Sequence, residues 1–509
     1  MVVSKMHPRV AIVLLFAAFL LAFGSGAGYR SLARGNIFRL ESLPAPTINP
    51  HSFELLANSR YSVHSGFEGE LPVEVMANVL WAMSQVPYWG NYREFYVATP
   101  ENVYRYNPMD RTLTVHLAGD RRYNSGSAFE VGIATPRHEY AGMAIQAGLL
   151  AGRAFSDFSG GNVVSCPMKW ATDYANSNWQ PEHPIMMVNV FGNAPANPLD
   201  TTLVAISSDT SLPAPYTTGA DTFELLLMEL RQDSTFSSIG LSLETMSQLL
   251  WAGYGVTPHS TTNGRQGLTV PSAIAGYFLT GKIYLVHEEG VDRYHNRLPP
   301  GNNLTTKDHR LERVISGDRR QDLRQASNRI PSNAPVYIVV CAGDTSSYQT
   351  MEEAGFVAFN LLIQAQALGL GGFLTMPLTR EERTAIQNAL FLPANQYPIL
   401  IFSVGEVTTG IRERRREGVI KIVRAQTTVR KGNLRVEYLL RRAGIVRAEV
   451  FDLLGRPVKT IFEASQTPGY HSVLWDGTND AGAVVRRGSY VITLSCGGTL
   501  AQHKVTWAR

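Results

Sequence analysis

Residues 241–286 carry the stretch that decides the fold, LSLETMSQLLWAGYGVTPHSTTNGRQGLTVPSAIAGYFLTGKIYLV. Its pattern predicts a helix, then a glycine-rich loop with a proline–serine pair, then a strand. A weaker copy, VEVMANVLWAMSQVPYWGNYREFYVA, occupies residues 73–98. The tryptophan of the motif recurs after 170 positions, as Trp81 and Trp251. The chain therefore contains two related segments.

Further landmarks recur in the same order. They are Val103-Tyr-Arg-Tyr106 and Val291-Asp-Arg-Tyr294, Gly119-Asp-Arg-Arg122 and Gly317-Asp-Arg-Arg320, and Ala141-Gly142 and Ala354-Gly355. A shared order of landmarks indicates an internal duplication. The predicted helix at 354–370 is apolar nearly all round, so it needs cover on every side. We predict that the other repeat supplies this cover, which makes the two repeats an intramolecular pseudo-dimer.

Composition limits the class of protein. The chain has 509 residues, of which 44% are hydrophobic and 17% charged, as in globular proteins of two or three domains. The net charge of +4 is too weak to indicate a nucleic-acid partner, and we expect none. The three cysteines lie far apart, so neither a zinc site nor a disulfide framework is indicated. We expect buried thiols, with a Cys166–Cys341 disulfide left open.

The N-terminus has the features of an export signal. Lys5 and Arg9 precede an apolar run at 10–23, which is followed by the small residues GSGAG. The pattern predicts a signal peptide over residues 1–27 and a linker over 28–52, with an uncleaved anchor as the alternative. The protein is then periplasmic, attached to the cell surface or secreted.

The C-terminal segment has a different pattern. From about residue 421, strands of period two alternate with turns rich in Gly, Asp and Asn, which predicts an all-β Ig-like sandwich over 421–509. Its predicted core residues are Val450, Leu453, Val473, Trp475, Tyr490 and Ile492.

Two features could hold an anionic cofactor. Three donors stand at alternating positions of an extended segment, Arg60, Ser62 and His64, so they face one way. Guanidinium groups bind phosphate through charge-assisted hydrogen bonds. The loop Pro271-Ser272-Ala273 lets backbone amides approach a flat ligand.

Taken in order, R-x-S-x-H, LLWA, GR-x-x-x-TVPSA, V-x-RY, GDRR and NLLIQAQALGLGG resemble the nitroreductase family of flavoenzymes. The branch most similar is that of the dehydrogenases that oxidise thiazolines and oxazolines in peptide maturation. The resemblance spans about residues 55–410. It implies that this part of the chain has an α+β fold. That fold would be a duplicated nitroreductase-like fold, with repeats at 53–205 and 220–415.

The resemblance also implies an FMN site at the interface of the repeats. One composite site would join Arg60, Ser62 and His64 to Pro271, Ser272 and Ala273. A second would join Arg231 and Ser234 to the loop 87–91, where Asn91 matches the family's loop asparagine. Arg412 or Arg414 would supply a further phosphate-binding residue. No catalytic acid or base is indicated, and no metal ligand.

The chain also departs from the family. The first repeat lacks the Pro-Ser-Ala loop, Asp233 lies beside Arg231, and Met376-Pro377 stands near the family's Glu-Gly pair. We therefore expect at most one competent FMN site. The predicted function is that of an exported FMN-dependent oxidoreductase, which passes hydride from an unidentified electron donor to a small-molecule substrate. The alternative is a non-catalytic exported surface or binding protein on the same scaffold.

The C-terminal segment resembles the Ig-like module of the flagellar hook-cap type, FlgD-like. The motifs that carry the resemblance are Val450-Phe-Asp-Leu-Leu-Gly-Arg456, Trp475-Asp-Gly-x-Asn-Asp-x-Gly482 and Gly488-x-Tyr490. A related domain serves as an export and attachment signal in type IX secretion. The resemblance implies a cell-surface or secretion-machinery partner, and a structural spacer is the alternative.

Overall fold

The structure is a computed structural model of the chain, described with gaps from residue 43 to residue 507. The described residues are 43–67, 70–156, 162–194, 204–205, 212–260, 266–273, 276–297, 306–408, 420–428, 433–440, 444–466 and 469–507. The predicted signal peptide, most of the predicted linker, Arg412 and Arg414 lie outside them. Within these ranges, no helix combines the length and apolar character that crossing a membrane requires.

The first half, residues 53–194, forms an antiparallel sheet with helices. Its elements are α1 (Phe53–Ser59), α2 (Val73–Gln85), β1 (Glu94–Ala98), β2 (Asn102–Asn107), β3 (Thr112–Ala118), β4 (Phe129–Ala134), α3 (His138–Arg153), β5 (Asn162–Pro167), α4 (Lys169–Asn178) and β6 (Ile185–Ala194). The strand order is β3-β2-β1-β4-β6-β5, and every neighbouring pair is antiparallel.

The second half, residues 204–405, forms a second sheet. Its elements are β7 (Val204–Ala205), α5 (Phe223–Met228), α6 (Leu243–Tyr254), β8 (Val256–Ser260), β9 (Gln266–Leu268), β10 (Ile283–His287), β11 (Gly290–Arg297), β12 (Thr306–Ser316), α7 (Arg320–Gln325), β13 (Val336–Ala342), α8 (Tyr348–Ala367), β14 (Gly371–Thr375), α9 (Arg380–Ala389) and β15 (Tyr397–Gly405). The strand order is β14-β15-β13-β10-β11-β12-β7.

Two elements differ from the sequence prediction. The predicted loop after α6 contains the hairpin β8–β9. Helix α8 begins at Tyr348, six residues before the predicted start, because the Ser347 hydroxyl caps it by accepting the Thr350 amide.

The two sheets share one arrangement. Apart from the two-residue edge strand β7, which pairs with β12 in parallel, the second sheet read from the opposite edge runs β12-β11-β10-β13-β15-β14, which is the order of the first. Both GDRR motifs also form the same turn. Gly119 and Gly317 have a φ of 90°, and in each motif the last arginine donates to the aspartate two positions earlier. Such a φ favours glycine, which explains why both turns begin with it.

The two halves pack through α3 and α8. These helices cross at Gly142 and Gly355, where the Cα atom of one glycine approaches the other helix's backbone. Most side chains of α8 are buried, and they share one continuous apolar core with residues of both halves. The first half therefore supplies the cover that the apolar surface of α8 requires.

The C-terminal segment forms two antiparallel sheets. Its strands are β16 (Ile420–Thr428), β17 (Asn433–Leu440), β18 (Gly444–Asp452), β19 (Pro457–Gln466), β20 (Gly469–Trp475), β21 (Gly488–Cys496) and β22 (Thr499–Trp507). They are ordered β16-β17-β20 and β19-β18-β21-β22. The predicted core residues are buried except Leu453, which is 60% exposed. That prediction was wrong because Leu453 lies in the turn that Asp452 closes by accepting the Leu454 and Arg456 amides.

Candidate cofactor site

Arg60 joins the two halves at the predicted site. Helix α1 begins after Ser52, whose hydroxyl accepts the Leu55 amide, and it ends at Ser59, so the backbone turns extended at Arg60. The Arg60 side chain is only 3% exposed. It donates to the Ser62 hydroxyl at 3.3 Å and to the Leu268 carbonyl of β9 at 3.0 Å. A first-half cation thus lies against the strand that leads into the second half's proline–serine loop.

The charge of Arg60 has no counter-ion among the described residues. No carboxylate there forms an ion pair with it, and its buried Nε has no hydrogen-bond partner. Burial lowers the pKa of Arg60 to about 10, and the nearby Tyr277 and Cys166 offset this in part. A buried charge without a partner is costly, so this position fits an anionic group.

Ser62 and His64 continue from Arg60 toward the surface. Ser62 is partly buried and forms a parallel bridge with Ser165 of β5. His64 is exposed, and its Nδ1 lies 3.5 Å from the Cys166 thiol. The segment therefore places Arg60 and Ser62 together, with His64 at its outer end.

The proline–serine loop is anchored from both halves. Gln146 of α3 donates to the Thr269 carbonyl at 3.2 Å, and Asn360 of α8 reaches the same oxygen at 3.4 Å. The Ser272 hydroxyl accepts the Tyr277 amide at 2.8 Å. Pro271 is buried, whereas Ala273 is exposed. The loop is therefore held in one position beside the β9 strand.

A buried carboxyl lies beneath this loop. Glu353 of α8 accepts the Tyr254 hydroxyl and the Leu279 amide, the latter at 3.0 Å. Burial raises the pKa of Glu353. The chain thus fixes Leu279, which follows the loop, to α8 through a carboxyl that favours its protonated form.

Two basic residues near Arg60 were missed at the sequence level. Arg153, in the last turn of α3, lies with its Cζ 5.1 Å from the Tyr61 ring centroid and donates to the Ser59 hydroxyl at 3.5 Å. His259 of β8 is buried. Burial, with Arg60 and Arg153 nearby, lowers the pKa of His259 to about 3, so its imidazole is neutral. The signal for Arg153 was its position as a lone charge in the apolar segment AGLLAGRAF.

The second predicted site is not brought together among the described residues. Arg231 lies 3.6 Å from the Asp233 carboxylate, so its charge is already matched. Ser234 is exposed, and no hydrogen bond or ring contact within the described ranges joins it or Arg231 to the loop 87–91. Asn91 is exposed in that loop. The sequence had already indicated that Asp233 offsets the charge of Arg231, because the two residues are only two positions apart.

The remaining candidates involve cysteines and carboxylates. All three cysteines are buried free thiols, so the Cys166–Cys341 disulfide is absent.

Glu94, Glu182 and His183 bring three ligand atoms within 4.8 Å of one another. Arg105 lies 3.5 Å from Glu94 and 3.0 Å from Glu182. This guanidinium accounts for the carboxylate pair without a metal.

The sheets and the site together define the class. Two sheets whose six antiparallel strands share one order, joined by crossing helices, form a nitroreductase-like α+β fold, and the C-terminal sheets form an Ig-like domain. Residues 233–406 match the Nitroreductase family, and residues 424–498 match the FlgD Ig-like domain. Both resemblances predicted from the motifs are thereby confirmed, the nitroreductase one over residues 233–406 and the Ig-like one over residues 424–498. The nitroreductase match supports an oxidoreductase acting on a small molecule with an electron donor, and the Ig-like domain is compatible with an extracellular location.

Solved structures similar to this chain include nitroreductases. A protein of Anabaena variabilis assigned as a nitroreductase is 11% identical, with 70% of this chain and 100% of that chain covered and a TM-score of 0.47. One of Ralstonia eutropha is 23% identical, with 42% and 97% covered and a TM-score of 0.30. An FMN-dependent nitroreductase of Clostridium difficile is 16% identical, with 36% and 87% covered and a TM-score of 0.26. No curated protein sequence matches the chain.

Proposed function

We propose that this protein is an FMN-dependent oxidoreductase whose flavin binds between the two halves. One observation carries the proposal: Arg60 is buried with no counter-ion in the described part of the chain, and it donates to the Leu268 carbonyl beside the proline–serine loop. The phosphate of FMN would supply the missing negative charge. The same cofactor would place its ring system beside a loop that both halves hold rigid.

Different residues would bind the phosphate and the ring system of the cofactor. Arg60 and Ser62 would hold the phosphate, with His64 at the outer end, while Pro271, Ser272 and Ala273 would line the flavin ring. When bound, FMN accepts a hydride from one substrate and passes it to another. Gln146 and Glu353 keep the loop in place, so the site is positioned before the cofactor arrives. No acid or base of the chain is assigned to the chemistry.

We further infer that the two halves are a tandem repeat, with the predicted repeats at 53–205 and 220–415, although β7 pairs with the second sheet. The equal strand order and the two identical GDRR turns support this origin. In a duplicated chain one interface site suffices, so the other is free to diverge. The Arg231–Asp233 ion pair is consistent with that loss.

We also propose that the protein is exported. The support is the charged and then apolar pattern of residues 1–27, together with the C-terminal Ig-like domain, placed at 421–509. That domain would contact the cell surface or the secretion machinery. A mature N-terminus near Ala27, determined on protein purified from the producing cells, would support export.

Arg60→Ala is expected to weaken FMN binding about tenfold to a hundredfold, because a charge-assisted hydrogen bond contributes about 1.5–3 kcal/mol. Titration of the flavin-free protein with FMN, followed by the visible absorption of bound flavin, measures the affinity. Arg231→Ala is the matched control, since this arginine occupies the corresponding position and is already paired with Asp233. Equal FMN affinity of the two variants would contradict the proposed site.

The second candidate function is a non-catalytic surface or binding protein. The Arg231–Asp233 ion pair favours it, because it removes the anion-binding character of one predicted site. Protein that remains colourless after incubation with FMN supports this alternative. Protein that binds FMN and exchanges hydride with a reduced nicotinamide supports the oxidoreductase.

A further inference from the structure

A cavity of about 500 Å³ lies in the first half, where α2 begins beside the β1–β2 turn and the first GDRR turn. Its volume is within the range of about 300–1,000 Å³ that small-molecule sites have. The apolar lining includes Leu71, Val73 and Met76 at the start of α2, and Phe129 of β4. The cavity shares no residue with the Arg60 site, so it offers an apolar surface for a second small molecule.

The charged residues that line the cavity are three carboxylates and one guanidinium. Asp120 and Arg122 of the GDRR turn are 2.7 Å apart and neutralise each other. Glu70 and Glu101 also line the cavity, and within the described ranges neither forms an ion pair. Both are accessible to solvent. These two carboxylates therefore give the cavity a net negative charge.

Three further charged residues adjoin the cavity without lining it. Arg121 donates to the Ala118 carbonyl at 3.4 Å and to the Asn178 carbonyl, at the end of α4, at 3.2 Å. Glu130 is buried, and its carboxyl accepts the two backbone amides of residues 123–124 at 2.9 and 2.7 Å. Glu74 lies on α2. The lining itself thus keeps two negative charges that no lining cation matches.

The second half contains the equivalent of Glu101 with its charge neutralised. The Gly119 amide donates to the Glu101 carbonyl at 2.8 Å, and the Gly317 amide donates to the Glu289 carbonyl at 2.9 Å. Glu101 and Glu289 therefore occupy the same position in the two halves. The Glu289 carboxylate lies 3.1 Å from the Arg313 guanidinium.

Val115 stands where the second half has Arg313. Strand β3 pairs Val115 with Tyr104, and β12 pairs Arg313 with Asp292, each directly after a bulge at the same place in the hairpin. Val115 is 48% exposed. The first half thus keeps the carboxylate but has no arginine at this position to neutralise it.

The Glu101 carboxylate is held in a defined position. The Thr99 hydroxyl, which is buried, donates to its Oε2 at 2.9 Å. Its Oε1 has no hydrogen-bond partner in the part of the chain that the structure describes. A fixed carboxylate with one oxygen available, beside an apolar surface, suits a cation with an apolar chain.

We propose that this cavity is a binding site for a primary alkylammonium ion. The ammonium group would donate to Glu101, with Glu70 adding negative charge to the same lining. The alkyl chain would contact Leu71, Val73 and Met76. The net negative charge disfavours an alkyl carboxylate of the same length. The proposal does not depend on the flavin, because no residue of the Arg60 site takes part.

Isothermal titration of the full chain with n-hexylammonium tests the proposal. The comparison ligands are 1-hexanol, which lacks the charge, hexanoate, which reverses it, and methylammonium, which lacks the chain. All three should bind more weakly. From propylammonium to hexylammonium, each added methylene should strengthen binding about threefold, as expected when a methylene group leaves water.

Val115→Arg gives the first half the arginine that the second half has at this position. The new guanidinium should pair with Glu101 and weaken hexylammonium binding about fivefold or more. Thr114→Arg is the matched control, because it adds the same charge one position away, on the opposite face of β3. It should bind hexylammonium as the wild type does. Both positions are exposed, so both variants should fold.

Glu101→Gln tests the carboxylate directly and should also weaken hexylammonium binding about fivefold or more. Glu74→Gln removes the same charge from α2 outside the lining, and it should leave the affinity within about twofold of the wild type. Circular dichroism spectra equal to that of the wild type separate a lost charge from lost folding.

Several outcomes would overturn the site. These are an absence of hexylammonium binding, equal binding of 1-hexanol or hexanoate, an affinity that does not rise with chain length, or equal effects of the Val115 and Thr114 variants. Arg60→Ala separates this cavity from the flavin site. Hexylammonium should bind this variant unchanged, and loss of binding there would place the ligand at the Arg60 site instead.

Discussion

Replacing Gly142 by alanine is expected to lower the free energy of unfolding by about 3 kcal/mol or more. A Cβ atom at this position would overlap the Glu352 carbonyl oxygen and lie 3.1 Å from the Gly355 Cα. Both are backbone atoms of α8, so the clash is relieved only if the two helices separate. Overpacking of a tight core costs about 1–3 kcal/mol and sometimes more. The loss would occur although alanine favours helix over glycine by about 1 kcal/mol.

Gly148→Ala is the matched control on the same helix. Its Cβ would lie 2.9 Å from the Met83 Cγ, and a methionine side chain can move aside. This variant should therefore unfold within about 1 kcal/mol of the wild type, as urea unfolding followed by far-ultraviolet circular dichroism would measure. Similar losses for the two variants would mean that the contact between α3 and α8 does not join the halves as described.

The pairing of the halves was accessible from the sequence because it rests on repeated, local patterns. The motif with Trp81 and Trp251, the two GDRR turns and the apolar surface of α8 each reflect a requirement of one element. The close approach of Gly142 and Gly355 was not accessible. Both glycines appear in the small-residue pattern, but only the crossing of the helices shows that each faces the other's backbone.

In the candidate site, too, some residues were predictable from the sequence and others were not. Arg60 and Ser62 were predicted because their alternation is visible along the chain, whereas Gln146 and Glu353 are buried polar residues on helices that read as core. Their partners lie more than 70 positions away, at Thr269 and Leu279. Long-range hydrogen bonds of this kind leave no local pattern. The prediction that Leu453 is buried was wrong for the opposite reason. Its apolar neighbours suggested a strand, whereas Asp452 closes a turn there.

Glu224 should make the stability of the protein depend on pH. This carboxyl, in the first turn of α5, is fully buried, and it accepts the Asn49 amide at 3.2 Å and the Asn49 side chain at 2.9 Å. Burial raises the pKa of Glu224 from 4.5 to about 7. The folded state therefore binds a proton more tightly than the unfolded state does. The stability that this proton provides is present below about pH 4.5 and is lost as the pH rises through about 7.

Glu224→Gln should remove this dependence, because glutamine cannot ionise, while its single carbonyl oxygen can still accept from Asn49. Since one pKa unit corresponds to about 1.4 kcal/mol, the variant should gain about 3 kcal/mol relative to the wild type between pH 4.5 and pH 8. Urea unfolding of both proteins across this range measures the difference, and Glu130, whose pKa is also raised to about 7, contributes equally to both. A difference that does not change with pH would mean that Glu224 is ionised throughout. Because Asn49 precedes the first half and Glu224 belongs to the second, the expected gain would show that the contact between the segment before α1 and helix α5 responds to protonation.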